Sequence, residues 1–355
     1  MVARRPTVYD VAERASVSIA TVSFTYTRPD KVKPATRERV LAAAQDLGYV
    51  PSASARGLAH GRTGALGLFA FDYLIEQGDA SRPMDGPARS VAEGRDAGDT
   101  LIRSFPLYVD EVQRGIELEC WARGYALLLN GGGRADSEAV VADIAGRVDG
   151  LAVFPNTVPH EVLLQIARRI PVVELGAEAF SDQLGHVTVD NVTAMRSLTD
   201  HLLKVHELVE LQFVGDAPTS DNRARFEGFR LALISAGLPA PQRPLSKAQV
   251  PDLISRGAVP QGLVCCNDVT ALTVMDAVAA HGLQAPRDVA VTGFDGILAG
   301  RVSRPMLTTV RQPMEEMGRA VVDVLINQLG ARDRAPEHRQ LSASLVLRES
   351  CGCTA

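Results

Sequence analysis

The chain has 355 residues, 46% hydrophobic and 22% charged, a length that predicts two or three domains and a composition that excludes disorder over most of it. No apolar run approaches the ~18 residues a membrane-spanning helix needs. The formal net charge of −5 argues at face value against a polyanionic partner, yet residues 1–62 hold ten basic and five acidic side chains, a net +5, which leaves −10 on the remainder. A basic head on an acidic body suggests a nucleic-acid module joined to a domain with another task.

In chain order, Arg4-Arg5 is followed by Pro6-Thr7-Val8-Tyr9-Asp10 where an export signal would need an apolar stretch, so the chain is expected to stay in the cytoplasm. Thr7 with Asp10 has the form of a capping box and opens a helix with apolar positions Val8, Val11, Ala12 and Ala15. Ser16-Val17-Ser18 breaks it, and Ser18 can cap a second helix from Ile19 to about Tyr26. There Val22 with Thr25 or Tyr26 faces inward, while Ile19, Ala20, Ser23 and Phe24 face out. A third helix runs from Pro34 through Val40, Leu41, Ala44 and Leu47 to Gly48, a good residue just past a helix end. Two short helices joined by a tight turn and backed by a third make either a DNA-binding helix-turn-helix or a plain packing module.

From Ala65 onward, strand-like runs at 66–71, 125–130, 150–155, 171–175, 211–215, 262–266 and 289–294 alternate with amphipathic helices at 110–123, 192–205, 223–236, 269–281 and 313–329. Alternating units of this length predict parallel sheets covered by helices, with a ligand site beyond the carboxyl ends of the strands and a cleft between two lobes as its place. Gly131-Gly132-Gly133 lacks the spacing of a dinucleotide fingerprint, and no phosphate loop, nucleophile elbow or zinc-protease motif is present, so an enzyme is not expected. The five cysteines do not form a disulfide framework. Cys351-Gly352-Cys353 is expected to have no nearby histidine or second cysteine pair, so neither a metal nor a cofactor is expected. The lone Trp121, on the first core helix, is expected to pack inward.

Residues 7–23 and 36–51 resemble, at fixed spacing, the head of the LacI/GalR family of bacterial transcriptional regulators. The resemblance assigns base reading to Ile19, Ala20 and Phe24, and backbone phosphates to Thr7, Tyr9, Ser18, Thr21, Ser23 and Arg37. Phe24 stands where the family commonly has arginine, so it offers apolar contact, for example to a thymine methyl, in place of a guanidinium fork on guanine. Residues 52–59 are similar to the family's hinge helix, which implies Leu58 as a minor-groove wedge with Ala55 and Arg56 beside it; a flexible linker only is the alternative.

The body continues the resemblance, in Val189-Asp190-Asn191, Arg225 to Phe229, Asn267-Asp268, Gly282 to Asp295 and Leu307 to Pro313, to the effector core that the family shares with periplasmic sugar-binding proteins. The implied fold class is an all-α helix-turn-helix head joined by a hinge helix to an α/β core of two Rossmann-like lobes. The expected division is a head at 1–50, a hinge at 51–62, lobe one at 63–188 plus 312–329, lobe two at 189–310 plus 331–350, and a tail at 351–355. The resemblance implies effector contacts from Arg225, Asp295 and Asn267, with Asp190, Gln312, Phe71, Asp72 and Tyr108 as further cleft candidates. A carboxylate, guanidinium and amide suit a polyol such as a sugar, but Arg225 and Asp295 also read as a plain ion pair, and Asn267, Asp190 and Asn191 as helix caps. Residues 73–104 are an insertion relative to the family, either a lid or a disordered loop. The implied function is a repressor of carbohydrate-utilisation genes that binds operator DNA as a homodimer or tetramer, away from any membrane. A sugar sensor acting through protein contacts and a sugar-modifying enzyme with an appended head are the alternatives.

Overall fold

A computed structural model describes residues 6–51, 62–70, 107–130, 137–155, 157–176, 182–215, 219–330 and 335–354. Ala55, Arg56 and Leu58 of the hinge, Phe71 and Asp72, and the 73–104 insertion lie outside the described residues. The chain divides into two units, Met1–Gly64 and Ala65–Ala355.

The first unit is α-helical: α1 (Val8–Arg14), α2 (Ile19–Thr27) and α3 (Pro34–Leu47). The Asp10 carboxylate accepts from both the backbone N–H and the hydroxyl of Thr7, at 2.6 Å each, which closes the first turn of α1. Ser18 Oγ accepts from the Thr21 N–H at 3.1 Å to cap α2, and Gly48, at φ 65°, ends α3 in the left-handed conformation. Val11, Ala12 and Ala15, Val22 and Thr25, and Val40, Ala43 and Ala44 meet in its core.

The second unit is α/β. Its elements are β1 (Ala65–Phe69), α4 (Leu107–Arg123), β2 (Ala126–Asn130), α5 (Ser137–Arg147), β3 (Gly150–Val153), α6 (His160–Ala167), β4 (Val172–Leu175), β5 (Gly185–Val189), α7 (Asn191–Val205), β6 (Leu211–Val214), α8 (Ser220–Ser235), α9 (Val250–Ser255), β7 (Gly262–Cys265), α10 (Asp268–Ala280), β8 (Ala290–Asp295), α11 (Leu298–Val302), β9 (Thr308–Arg311), α12 (Met314–Gly330), β10 (His338–Leu341) and β11 (Ser344–Val346). They build a six-stranded sheet, β10-β5-β4-β3-β1-β2, and a five-stranded sheet, β11-β9-β8-β7-β6. Among the described residues every strand pairing is parallel except β11 on β9.

The chain passes between the sheets after β5, after β9 and between β10 and β11. This corrects the expected division at one place: His338–Leu341, expected in lobe two, pairs with His186–Val189 and belongs to the first sheet. A four-residue edge strand is placed by the partner its backbone finds, which position along the chain does not encode.

Two further expectations are overturned. Trp121 is 82% exposed, because α4 turns Val112, Ile116 and Cys120 inward and residue 121 falls a helical step off that face. The Cys-x-Cys tail does have histidines beside it: His201 of α7 and His206, the residue that caps it, lie against Cys353 at 3.4 Å. No helix among the described residues is long and apolar enough to cross a membrane.

Candidate functional site

In the head, the packing that buries Val22 and Thr25 turns the opposite face of α2 to solvent, with Ala20 and Ser23 exposed, Ile19 42% exposed and Phe24 40% exposed. Isolated large apolar side chains held outward on a capped helix cost nothing to desolvate when a groove covers them. Arg28 sets its guanidinium 6.0 Å from the Phe24 ring centroid, so a cation stands beside the apolar contact. Ser18 and Thr21 share a hydroxyl–hydroxyl hydrogen bond at 2.9 Å at the start of α2. Tyr9 and Arg37 are exposed and Thr7 is half-buried in its cap. These are the residue types and the helix terminus that hold phosphates.

In the core, Gly228 lets α8 close on α7: a Cβ there would come within 2.3 Å of the Val192 carbonyl oxygen. The close approach brings Arg225 of α8 to Asn191, the first residue of α7, and its Nε donates to Asn191 Oδ1 at 2.8 Å. The same guanidinium donates to the Cys266 carbonyl at 2.7 Å, stands 3.5 Å from the Asp295 carboxylate and stacks 3.9 Å from the centre of the Phe294 ring. Asp295, at the carboxyl end of β8, accepts from the Gln312 amide at 2.7 Å. Arg225, Asp295, Asn191 and Gln312 are all buried.

Burial pushes the Asp295 carboxyl up to about 6, against the opposing pull of Arg225 and the Gln312 hydrogen bond. Its backbone adopts φ 115°, a conformation that costs a β-carbon residue about 1–3 kcal/mol and persists where the surroundings enforce it. Asp268 is what enforces it: Oδ2 accepts from the N–H groups of Gly296 and Ile297 at 2.8 Å each, and Oδ1 accepts from the Thr309 hydroxyl at 2.5 Å. Gly293 leaves room for that carboxylate, since a Cβ would sit 2.2 Å from Oδ1. Burial, with the neighbouring charge of Asp295, raises Asp268 to about 7.

Of the residues singled out from sequence, Arg225, Asp295 and Gln312 therefore meet. Asn267 and Asp190 instead cap helices, accepting from the Thr270 N–H at 2.8 Å and the Thr193 N–H at 2.9 Å. Asp190 also lines a cavity of about 320 Å³ with Asn191, Asp221 and His338. Tyr108 packs edge-on against Phe154, 6.2 Å between ring centres.

Three members of the cluster escaped sequence reading. Asn191 bridges Arg225 and Asp221, its amide donating to Asp221 Oδ1 at 2.9 Å. Asp268, quoted only as part of Asn267-Asp268, organises the loop after β8. Glu174 of β4 is buried, its Oε2 has no hydrogen-bond partner among the described residues, and burial together with Asp221 raises it to about 7. Arg311 ties the two sheets together, with Nη1 and Nη2 on the Glu111 carboxylate of α4 at 3.2 and 2.5 Å and Nη1 on the Gly296 carbonyl at 2.6 Å.

Comparison with known proteins gives matches to both units. Residues 7–52 match the bacterial regulatory proteins of the lacI family, and residues 199–351 match the periplasmic binding protein-like domain. The chain is 28% identical to a transcriptional repressor named PurR from Haemophilus influenzae, over 97% of this chain and 98% of that one. It is 28% identical to the ribose operon repressor of Escherichia coli, over 97% and 99%. Its fold is similar to that of a chain of the lac repressor, solved as a dimer bound to operator and an anti-inducer, with a TM-score of 0.75 at 22% identity over 98% and 99% of the two chains. A transcriptional regulator CelR in complex with cellobiose matches at a TM-score of 0.66 and 24% identity, over 98% and 100%.

Proposed function

We infer that the chain is a member of the lacI family of bacterial regulatory proteins, a ligand-responsive, sequence-specific DNA-binding transcriptional repressor and not an enzyme, a reading supported by the match of residues 7–52 and by the relatives at 28% identity. Two heads of a homodimer read the half-sites of a pseudo-palindromic operator in the cytoplasm. Ile19, Ala20 and Phe24 touch base edges, and Thr7, Tyr9, Ser18, Thr21, Ser23 and Arg37 hold the backbone. The effector is a small polyol, a sugar or sugar derivative, bound by Arg225, Asp295 and Gln312 with Asn191 as their neighbour.

The observation that carries the effector reading is the buried quartet of Arg225, Asn191, Asp295 and Gln312 around a residue at φ 115°. A charged, strained and desolvated cluster is a costly arrangement for stability alone and a useful one for hydroxyl groups that can each donate to a carboxylate and accept from a guanidinium. Repression released by the effector requires different effector affinities in the DNA-competent and DNA-incompetent arrangements of the core.

The test pairs an operator obtained by selection on the purified protein with a sugar panel, read by gel shift. A sugar that changes operator occupancy in the wild type, and no longer does so in Asp295→Asn while that variant still binds operator, supports the site. A variant that keeps the full response moves the site elsewhere.

A further inference from the structure

The C-terminal residues fold back onto the end of α7. A 3-10 turn, Glu349–Cys351, is anchored behind the second sheet: Ser350 Oγ donates to the Val291 carbonyl at 2.5 Å and accepts from the Thr308 N–H at 2.8 Å. Gly352 follows at φ 103°, a conformation that a β-carbon residue rarely adopts, and it lets the flanking Cys351 and Cys353 turn their sulfurs to one side. Facing them are His201, on the last turns of α7, and His206, its C-terminal cap. The ligand atoms of the four residues all lie within 4.8 Å of one another.

The separations discriminate between a chance cluster and a site. Zinc–sulfur bonds of about 2.3 Å and zinc–nitrogen bonds of about 2.0–2.1 Å at tetrahedral angles put two nitrogens roughly 3.3 Å apart and nitrogen and sulfur roughly 3.5 Å apart. Here His201 Nε2 and His206 Nε2 are 3.2 Å apart, Cys353 Sγ is 3.4 Å from each of them, and Cys351 Sγ is 3.9 Å from His201 Nε2. Three of these separations match the edges of a tetrahedral zinc site and the fourth is a few tenths of an ångström longer, with all four ligand atoms within 4.8 Å of one another. Hydrogen bonds serve the group poorly, because two neutral imidazoles and two weak thiol donors cannot satisfy every one of these contacts at once.

We propose that His201, His206, Cys351 and Cys353 bind one zinc ion and so fasten the C-terminal tail to the end of α7. The donor set is two imidazoles and two thiolates, with no further ligating residue in the group among the described residues, the composition of a closed structural site. Binding replaces the thiol protons of both cysteines by metal–sulfur bonds and releases them to solvent, with no change in oxidation state. The Thr308 hydroxyl, 3.0 Å from Cys351 Sγ, is placed to donate to that thiolate. The site stands apart from the effector cluster and does not depend on the reading of it.

The experiment uses the full-length protein, stripped of metal by a chelator and kept reduced with a phosphine. Titration with Co²⁺ alone is expected to give one ion per chain, with the intense visible bands of tetrahedral cobalt, thiolate-to-metal charge transfer in the near ultraviolet, and stoichiometric displacement by Zn²⁺. Cys353→Ser and His206→Gln, both at half-buried positions, are each expected to lower Zn²⁺ affinity on the order of 100-fold and to abolish the rise in Tm that Zn²⁺ gives the wild type. A pale octahedral spectrum, no saturable binding, or an unchanged cobalt spectrum in either variant overturns the proposal. The wild-type titration decides the matter even where a variant does not fold.

Discussion

Replacing Arg225 by methionine tests whether the buried cluster is organised by its one cation. The substitution keeps the apolar stem against Phe294 and removes the donors to Asn191 Oδ1 and the Cys266 carbonyl. Losing the charged donor to a buried acceptor costs about 1–3 kcal/mol for each bond. Asp295 also loses the guanidinium 3.5 Å away, but its penalty is limited. With its carboxyl at about 6 in the intact cluster, taking up a proton at pH 7 costs about 1.4 kcal/mol, and the group neutralises before the charge penalty exceeds that. The expected loss is therefore about 3–5 kcal/mol at pH 7.

The sign of its pH dependence follows from the same group. The folded value already lies above the ordinary 3.8, and losing Arg225 raises it further, so native-state stability falls more steeply with rising pH in the variant than in the wild type. The deficit should shrink by up to about 1.4 kcal/mol between pH 7 and pH 4, where the carboxyl is protonated in the folded state of both proteins. Urea unfolding of both proteins at the two pH values measures it. A deficit below about 1 kcal/mol at pH 7, or one that grows toward pH 4, refutes the account.

Glu174→Gln removes a buried carboxyl held at about 7 against an ordinary 4.5. Stability that the wild type has in full below about pH 4.5 and loses as pH rises toward 7 stays in the variant, a gain of about 3 kcal/mol at pH 8 and none at pH 4 in urea unfolding; parallel pH profiles would dismiss it. Phe24→Arg supplies a guanidinium fork and should shift the selected operator toward guanine at one position per half-site, by about 1–3 kcal/mol of discrimination in a binding selection, whereas an identical selected sequence removes Phe24 from the bases. Ser18→Ala deletes the cap of α2 and should cost the head about 1 kcal/mol in thermal or chemical unfolding. It should also weaken binding equally to operator and to random DNA, and a loss confined to the operator would contradict a backbone role.

How far the sequence carried depends on the range of the interactions concerned. In the head every determinant is local: the Thr7–Asp10 box, the Ser18 cap, Pro34 and Gly48 lie within one turn of the boundaries they set, so spacing alone located the three helices and their outward face. In the core the apolar central strands were legible as runs, while β5, β9, β10 and β11 were not. His338–Leu341 alternates exposed and half-buried positions on a sheet edge, and Ser344–Val346 has three residues, so their pairing partners make them strands. The proposed effector cluster divides the same way. Arg225 and Asp295 stood in recognisable motifs, but whether Asp190 or Asn191 faces Arg225 depends on the rotation of α7, set by the contact at Gly228. The His201–Cys353 contact joins residues 152 apart in the chain, so the spacing around the Cys-x-Cys pair carries no trace of it.

The polar contacts also define how a signal at Asp295 could reach beyond its own lobe. Asp268 holds the N–H groups of Gly296 and Ile297, and Arg311 holds the Gly296 carbonyl. The residue after Asp295 is thus fixed on both sides of its peptide plane. The same guanidinium is bidentate to Glu111 on α4, which packs in the other lobe. A ligand that moves Asp295 must move Gly296 with it, and the Arg311–Glu111 pair then either follows or breaks. The pair is partly exposed, about a third on each side chain, so breaking it costs on the order of 1 kcal/mol. That is small against the several kcal/mol a tightly bound polyol can supply, and within the range of coupling energies that separate two states of a regulator. On the proposed effector reading, the buried cluster supplies the affinity, and the partly exposed Arg311–Glu111 pair is a contact weak enough to differ between two arrangements of the lobes.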